Sequence, residues 1–158
     1  MPYYDIIAEG YDELHGEEQN NKLKIISRYI HPKAGERILD VGCGTGICSL
    51  WKCFSAGIDP SFGLVMQAKK KGKNFMQAQA ESLPFRNHSF DYVISVTAIH
   101  LFSDIDKGLN EIKRVGKERF IFSVLKKSGR SKVIVRKIKA IFKVKKEINE
   151  ERDIILII

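Results

Sequence analysis

The sequence predicts an α/β protein built on a mostly parallel sheet. Three observations carry this. Short apolar runs recur with helical segments between them, the first run ends in a glycine cluster, and the last two are joined by only four residues. Strands separated by helices form βαβ units and hence a parallel sheet. A four-residue connection permits only an antiparallel pair, so a hairpin is expected to close the sheet. The 158 residues fit one domain. Within it the chain divides into a helical arm at 1–34, a core at 35–125, and a basic helix with the hairpin at 126–158.

Each element has its own signal. Residues 4–15 read as a short helix with Ile6, Ile7 and Leu14 as apolar contacts. Leu23, Ile26 and Ile30 recur at three- and four-residue spacing, which predicts a helix over 18–31, stopped by Pro32. Arg37–Val41 is a strand that runs into the glycines. Phe54–Ile58 is a second strand, ending at Asp59. Ser61 is placed to cap a helix through Leu64, Val65 and Ala68 to Gly72. Residues 74–78 form a weak third strand and 90–96 a strong fourth. Ser103 is expected to cap the helix of Ile105, Leu109, Ile112 and Val115, and 120–125 is the fifth strand. After a helix at about 131–141, residues 144–148 and 153–158 form the hairpin. Its second strand is continuously apolar and therefore buried.

Composition narrows the class. No apolar run approaches the ~18–20 residues of a membrane span. The opening residues lack a basic region leading into an apolar stretch, so no signal peptide is expected. Three cysteines are an odd count, which argues against a disulfide framework and for a reducing, cytoplasmic location. Cys43, Cys48 and Cys53 are spaced by five and match no zinc pattern, so no metal is expected. The net charge is +8, and it is concentrated. Residues 119–146 hold 11 of the 27 Lys and Arg and no Asp or Glu. In the helix at 131–141 and just beyond it, Lys132, Arg136, Lys139 and Lys143 form one stripe, opposite Ile134, Ile138 and Ile141. The stripe is a candidate surface for an anionic partner, or a solvated face.

The centre of the functional argument is Asp40-Val41-Gly42-Cys43-Gly44-Thr45-Gly46, followed by Gly57-Ile58-Asp59-Pro60-Ser61. Glycines let a backbone turn tightly after a strand and approach a ligand closely. An acid ending the second strand can accept hydrogen bonds from ribose hydroxyls. Together they describe a nucleoside-cofactor site. The dinucleotide fingerprint, G-x-G-x-x-G/A, would place Gly or Ala where this chain has Ile47. A carboxylate at Asp40 suits a cationic amino group better than a pyrophosphate. Both points favour a ligand with an ammonium group and no phosphates, such as S-adenosylmethionine, over a nicotinamide dinucleotide.

Here the chain resembles the class I S-adenosylmethionine-dependent methyltransferases, of the small methyltransferase-domain type 11 similar to ubiquinone-biosynthesis methyltransferases. The resemblance runs along nearly the whole chain. Tyr4-Asp5 through Tyr11-Asp12 resembles the tyrosine-rich arm of that family, and Asp40–Gly46 its glycine motif. Gly57–Ser61 matches its ribose turn and Ala80–Phe85 its adenine motif. Thr97–Leu101 matches the segment under the transfer site, and Glu111–Val115 the helix before strand five. The segment Val115–Arg119, which precedes strand five, is shorter than the family's usual one.

The resemblance implies a Rossmann-like seven-stranded sheet of order 3-2-1-4-5-7-6 with helices on both faces. It implies S-adenosyl-L-methionine as cofactor and S-adenosyl-L-homocysteine as product. It places Asp40, Gly42, Cys43, Gly44 and Gly46 at the methionine part, Asp59, Pro60 and Ser61 at the ribose, and Ala80 and Glu81 at the adenine. Val96 and Thr97 would form the floor, and Tyr11 would close over the methionine end. His100, Tyr11 and His15 are the candidate acid–base residues, needed only if the acceptor keeps its proton; Tyr4 is a further candidate. The Asn/Asp-Pro-Pro-Tyr/Phe motif of amino-methylating enzymes is replaced here by Ser95-Val96-Thr97-Ala98. The acceptor stays open among small molecule, RNA and protein. Little chain is left for a substrate-recognition insertion, so the alternative is a cofactor-binding subunit that needs a partner. Some small relatives require a zinc-binding activator protein.

Overall fold

The structure, a computed structural model, describes residues 2–46, 51, 53–72 and 74–158. Of residues 2, 9 and 11–18 the backbone alone is described. Ile47, Cys48 and the start of the segment that leads to strand two therefore lie outside the described residues. So do the side chains of Leu14, Tyr11 and His15.

Two helices lead the chain, α1 (Pro2–Ile7) and α2 (Tyr11–Ile26), joined by a 3₁₀ turn at Ala8–Gly10. The sequence pattern placed the break later, after residue 15. It falls at Gly10 instead, a residue that disfavours helix interiors and here stands as the N-cap of α2. Ile6, expected as an apolar contact, is 80% exposed, whereas Ala8 is buried. The second helix stops at Ile26 rather than near Pro32, because the chain turns through Ser27–Tyr29, with the Ser27 hydroxyl on the Lys24 carbonyl.

The core follows as β1 (Arg37–Val41), β2 (Phe54–Asp59), α3 (Phe62–Lys71), β3 (Phe75–Gln77), β4 (Phe90–Val96), α4 (Ile105–Val115) and β5 (Gly116–Leu125). Then come α5 (Ser131–Ile141) and the hairpin of β6 (Lys146–Asn149) and β7 (Asp153–Ile157). The seven strands form one sheet in the order β3-β2-β1-β4-β5-β7-β6. All pairs among β1 to β5 are parallel, and β7 is antiparallel to both β5 and β6. This is the predicted topology. β5 begins four residues earlier than the apolar run, because Gly116 and Arg119 pair with Phe90 and Tyr92 across an irregular register. Lys117, Glu118 and Arg119 are exposed there, so no apolar periodicity marked that stretch.

Two apolar clusters cover the two faces of the sheet. One packs Leu109 and Ile112 of α4 and Ile134 and Ile138 of α5 against Leu39, Val93 and Phe122. The other packs Ile26 of α2 and Val65 and Ala68 of α3 against Ile38, Ile94 and Ile121. Opposite faces of each strand feed opposite clusters, as the two-residue period requires. Burial on both sides leaves the carboxyl edge of the strands as the place where polar loops gather, with the strand order reversing between β1 and β4.

Candidate cofactor site

A cavity of about 440 Å³ opens at that edge, above the ends of β1, β2 and β4. Its size falls within the range of small-molecule sites. The glycine loop forms one wall. Gly42 has φ +80° and Gly46 +92°, conformations that favour glycine. Space is the second constraint: a Cβ on Gly42 would lie 2.3 Å from the Ala98 Cβ, so the loop after β1 rests directly on the loop after β4.

The loop amides point inward. Gly42 and Cys43 both donate to the Ile58 carbonyl, at 2.8 and 2.9 Å, and Gly46 donates to Cys43 at 2.9 Å. Gly44 donates to Asp59 Oδ2 at 3.0 Å. Three of these amides tie the loop to the end of β2 and the fourth closes the loop on itself, so the four do not form a cradle of free N–H groups. Asp59 is itself fixed at both oxygens, since Ser61 N–H donates to Oδ1 at 2.9 Å. Burial pushes its carboxyl above the usual range; the Ser61 and Gly44 amides oppose the rise. Each carboxylate oxygen accepts more than one hydrogen bond, so Asp59, which lines the cavity, keeps acceptor capacity toward it.

The expected site residues divide into two groups. Gly42, Gly44, Asp59, Pro60, Ala80, Glu81, Val96 and Thr97 line the cavity. Asp40, Cys43, Gly46 and Ser61 stand behind that lining: Asp40 and Cys43 are buried, Gly46 closes the loop onto Cys43, and Ser61 caps α3 by accepting from Leu64 N–H. Glu81 lines the wall, but its Oε1 already accepts from the Ser103 hydroxyl at 2.8 Å and the Asp104 amide at 3.1 Å. It therefore braces the loop before α4. The same contact explains why Asp104, not Ser103, caps α4: Asp104 accepts from Lys107 N–H while Ser103 is committed to Glu81.

His100 is half-buried, in a 3₁₀ turn behind the cavity wall. Its Nδ1 is buried and makes no hydrogen bond among the described residues. Burial lowers its pKa, opposed by the Asp153 charge, which favours the neutral ring at neutral pH. Tyr4 of the arm also faces the cavity, and burial raises its phenol pKa, with Tyr3 and Asp59 adding to the rise. The arm is held over the cavity by Asp5, whose Oδ1 accepts from the Ser61 hydroxyl at 2.7 Å and from Gly63 N–H at 2.8 Å.

Sequence reading missed a buried polar cluster next to the floor. Lys22 and Asp153 are both fully buried, with Lys22 Nζ 3.1 Å from Asp153 Oδ1. Thr97 and Ser123 join them. A signal existed for Lys22, because it stands four residues before the buried Ile26, on the same face of α2.

Comparison with known proteins gives the family. Residues 39–124, more than half of the chain, match the family model described as a methyltransferase domain. The chain belongs to the class I S-adenosylmethionine-dependent methyltransferases. It is similar to the uncharacterized protein MJ1252 of Methanocaldococcus jannaschii, 38% identical over 77% of this chain and 50% of the relative. It is also similar to the demethylmenaquinone methyltransferase of Bacteroides fragilis, 30% identical over 71% of this chain and 53% of the relative. The chain thus spans about half the length of the curated relatives it matches. Among solved structures, a Haloferax volcanii methyltransferase in complex with the Trm112 methyltransferase activator superposes with TM-score 0.69. It is 24% identical over 77% of this chain and 59% of that one, a likeness of fold.

Proposed function

We propose that this chain binds S-adenosylmethionine in the cavity at the sheet edge and transfers its methyl group to an acceptor. The observation that carries this is the pairing of Asp59 with the glycine loop. A doubly anchored, buried carboxylate at the end of β2 faces the cavity, and the loop beside it has spent its amides internally. That chemistry suits ribose hydroxyls and does not suit a pyrophosphate, which supports this family's cofactor over a nicotinamide dinucleotide. When bound, the cofactor supplies a methyl group already activated by its sulfonium. The residues then need only bind, orient and exclude water. Asp59 would accept from the ribose, Ala80 and the neighbouring Glu81 would face the adenine, and Val96 and Thr97 would form the floor. Asp40, behind the loop, would place negative charge near the amino group of the methionine part. Cys43, Gly46, Pro60 and Ser61 would hold the loops in register. His100, Tyr11 and His15 are proposed for proton transfer with a hydroxyl acceptor. The neutral His100 ring supports its candidacy; the side chains of the other two lie outside the described residues.

The same reading takes the chain as a single domain working in the cytoplasm. Among the described residues no helix is long and apolar enough to cross a membrane, and no cluster of His, Cys, Asp and Glu could hold a metal. A second reading, a cofactor-binding subunit completed by an activator protein, draws support from the Haloferax complex and from the exposed apolar residues Tyr3, Ile6, Phe62 and Met66 on the touching helices α1 and α3. The basic stripe is proposed as the contact for an anionic acceptor. Lys132, Arg136, Lys139 and Lys143 are all exposed, although Lys139 is paired with Glu147 at 2.7 Å. Arg136→Glu should reduce the salt dependence of RNA binding.

The test is transfer of labelled methyl from S-adenosylmethionine into fractionated cell extract, with Asp59→Ala as control. Label in one fraction, lost with the variant, supports the reading and names the acceptor class. Activity that appears only on adding a co-purified protein favours the second reading. Label that persists with Asp59→Ala contradicts the role given to Asp59.

A further inference from the structure

Four polar side chains from four distant parts of the chain meet beside the cavity floor, Lys22, Ser123 and Asp153 fully buried and Thr97 half-buried. Lys22 comes from α2, Thr97 from the end of β4, Ser123 from β5 and Asp153 from the first position of β7. Lys22 Nζ donates to Thr97 Oγ1 at 2.8 Å and lies 3.1 Å from Asp153 Oδ1. Thr97 Oγ1 donates to Asp153 Oδ2 at 2.8 Å, and the Ser123 hydroxyl donates to the same oxygen. Thr97 is the member that lines the cavity.

The backbone at Thr97 has φ +54°. A β-branched residue in that region is a strained outlier, and such strain persists only where the surroundings over-determine it. Here they do. The hydroxyl is held by Lys22 and Asp153, and Thr97 N–H donates to the Ser123 carbonyl at 3.0 Å. Glycine would satisfy the backbone without strain but would have no hydroxyl to hold. A buried ion pair contributes little net stability over a well-packed apolar pair of equal volume, so stability alone gives weak reason for one at this place. The next residue shows what the geometry reaches. Ala98 is the one against which Gly42 packs without room for a Cβ. A shift at Thr97 therefore passes into the glycine loop.

We propose that Lys22 is a positioning residue of the site: through Thr97, and with Asp153 as counter-charge, it sets the cavity floor and the seat of the glycine loop. The inference rests on reading the cavity as the S-adenosylmethionine site. It also couples the N-terminal helix to cofactor affinity without any direct contact between them.

The test uses the full chain and S-adenosyl-L-homocysteine as probe, by titration calorimetry, with hydrogen exchange of residues 97–101 measured on the same samples. Thr97→Val keeps the side-chain shape and removes the hydroxyl. Lys22→Met removes the cation. Each should weaken binding at least about tenfold, the scale of one lost hydrogen bond to a charged group. The double variant should weaken it little further, because both act through one contact. Thr97→Ser should recover most of what Thr97→Val loses. A folded Thr97→Val with unaltered affinity, or losses that simply add, would overturn the proposal. If Lys22→Met does not fold, Thr97→Val against Thr97→Ser still decides. If the unaltered chain does not bind the probe, the reading of the cavity fails, and hydrogen exchange then judges the network. Faster exchange at 97–101 in Thr97→Val supports positioning, and unchanged exchange refutes it.

Discussion

Replacing Gly42 by alanine separates two costs that the structure superimposes at one residue. The first is conformational, since φ is +80°; a non-glycine residue in left-handed backbone costs about 1–2 kcal/mol. The second is steric, since the new Cβ would lie 2.3 Å from the Ala98 Cβ, a contact that one loop must yield to relieve. Overpacking of this kind costs roughly 1–3 kcal/mol. Gly35 supplies the control. Its φ is +89°, and nothing lies within 4 Å of where its Cβ would be. Gly35→Ala should therefore show the conformational cost alone. Gly42→Ala should lose about 2–5 kcal/mol in all, a fall in Tm of roughly 4–20 °C at about 2–4 °C per kcal/mol. Thermal unfolding followed by circular dichroism measures both. Cofactor-product affinity should fall in Gly42→Ala and hold in Gly35→Ala, because only the first separates the two loops that bound the cavity. Equal Tm losses in the two variants, with equal affinities, would refute the reasoning.

Other consequences follow from the charges. Burial raises the Asp59 carboxyl pKa above its ordinary 3.8, so S-adenosyl-L-homocysteine affinity should decline as the pH falls through that raised value. Its contribution to fold stability runs the other way. The folded state holds the proton more tightly than the unfolded chain, so the stabilisation is full below the ordinary carboxylate pKa and is lost as pH rises through the folded one. Calorimetric titration downward from neutral pH should show the decline; affinity that stays constant down to the ordinary carboxylate pKa would contradict it. Asp5 has the opposite shift. Its hydrogen bond from Ser61, then that from Gly63, holds its carboxyl below the usual range, so its grip on the arm is full above 3.8 and fails as pH falls through the lowered value. Asp5→Ala should expose residues 2–10 to faster hydrogen exchange at neutral pH and weaken binding by releasing Tyr4; unchanged exchange would show that α1 is held by other contacts.

Much of this was legible in the sequence because local signals and the fold agreed. Gly42 and Gly44, directly after the Arg37–Val41 strand, and Asp59, at the end of the next strand, line the cavity, and short local motifs announce both. Helices α4 and α5 were readable because Leu109, Ile112, Ile134 and Ile138 repeat at helical spacing and are buried in the sheet cluster. What escaped depends on contacts between distant residues. Ser103 and Asp104 are equally good caps by type, and Glu81, more than twenty positions earlier, decides between them. Lys22 looks like one polar residue among several at the start of an apolar pattern. Its partner Asp153 heads a strand at the other end of the chain, and no spacing rule joins them. The dense positive charge, the most conspicuous feature of the composition, lies on mostly exposed residues from β5 through α5 to the start of β6, none of which lines the cavity.

The central claim is that Asp59 and the glycine loop form a site for S-adenosylmethionine. Isothermal titration of the purified chain with S-adenosyl-L-homocysteine, set beside NAD and repeated on Asp59→Ala, tests it most directly. The account predicts saturable one-to-one binding of S-adenosyl-L-homocysteine, none of NAD, and loss of the signal in the variant. Binding of NAD in preference, or S-adenosyl-L-homocysteine affinity unaltered by Asp59→Ala, would contradict it.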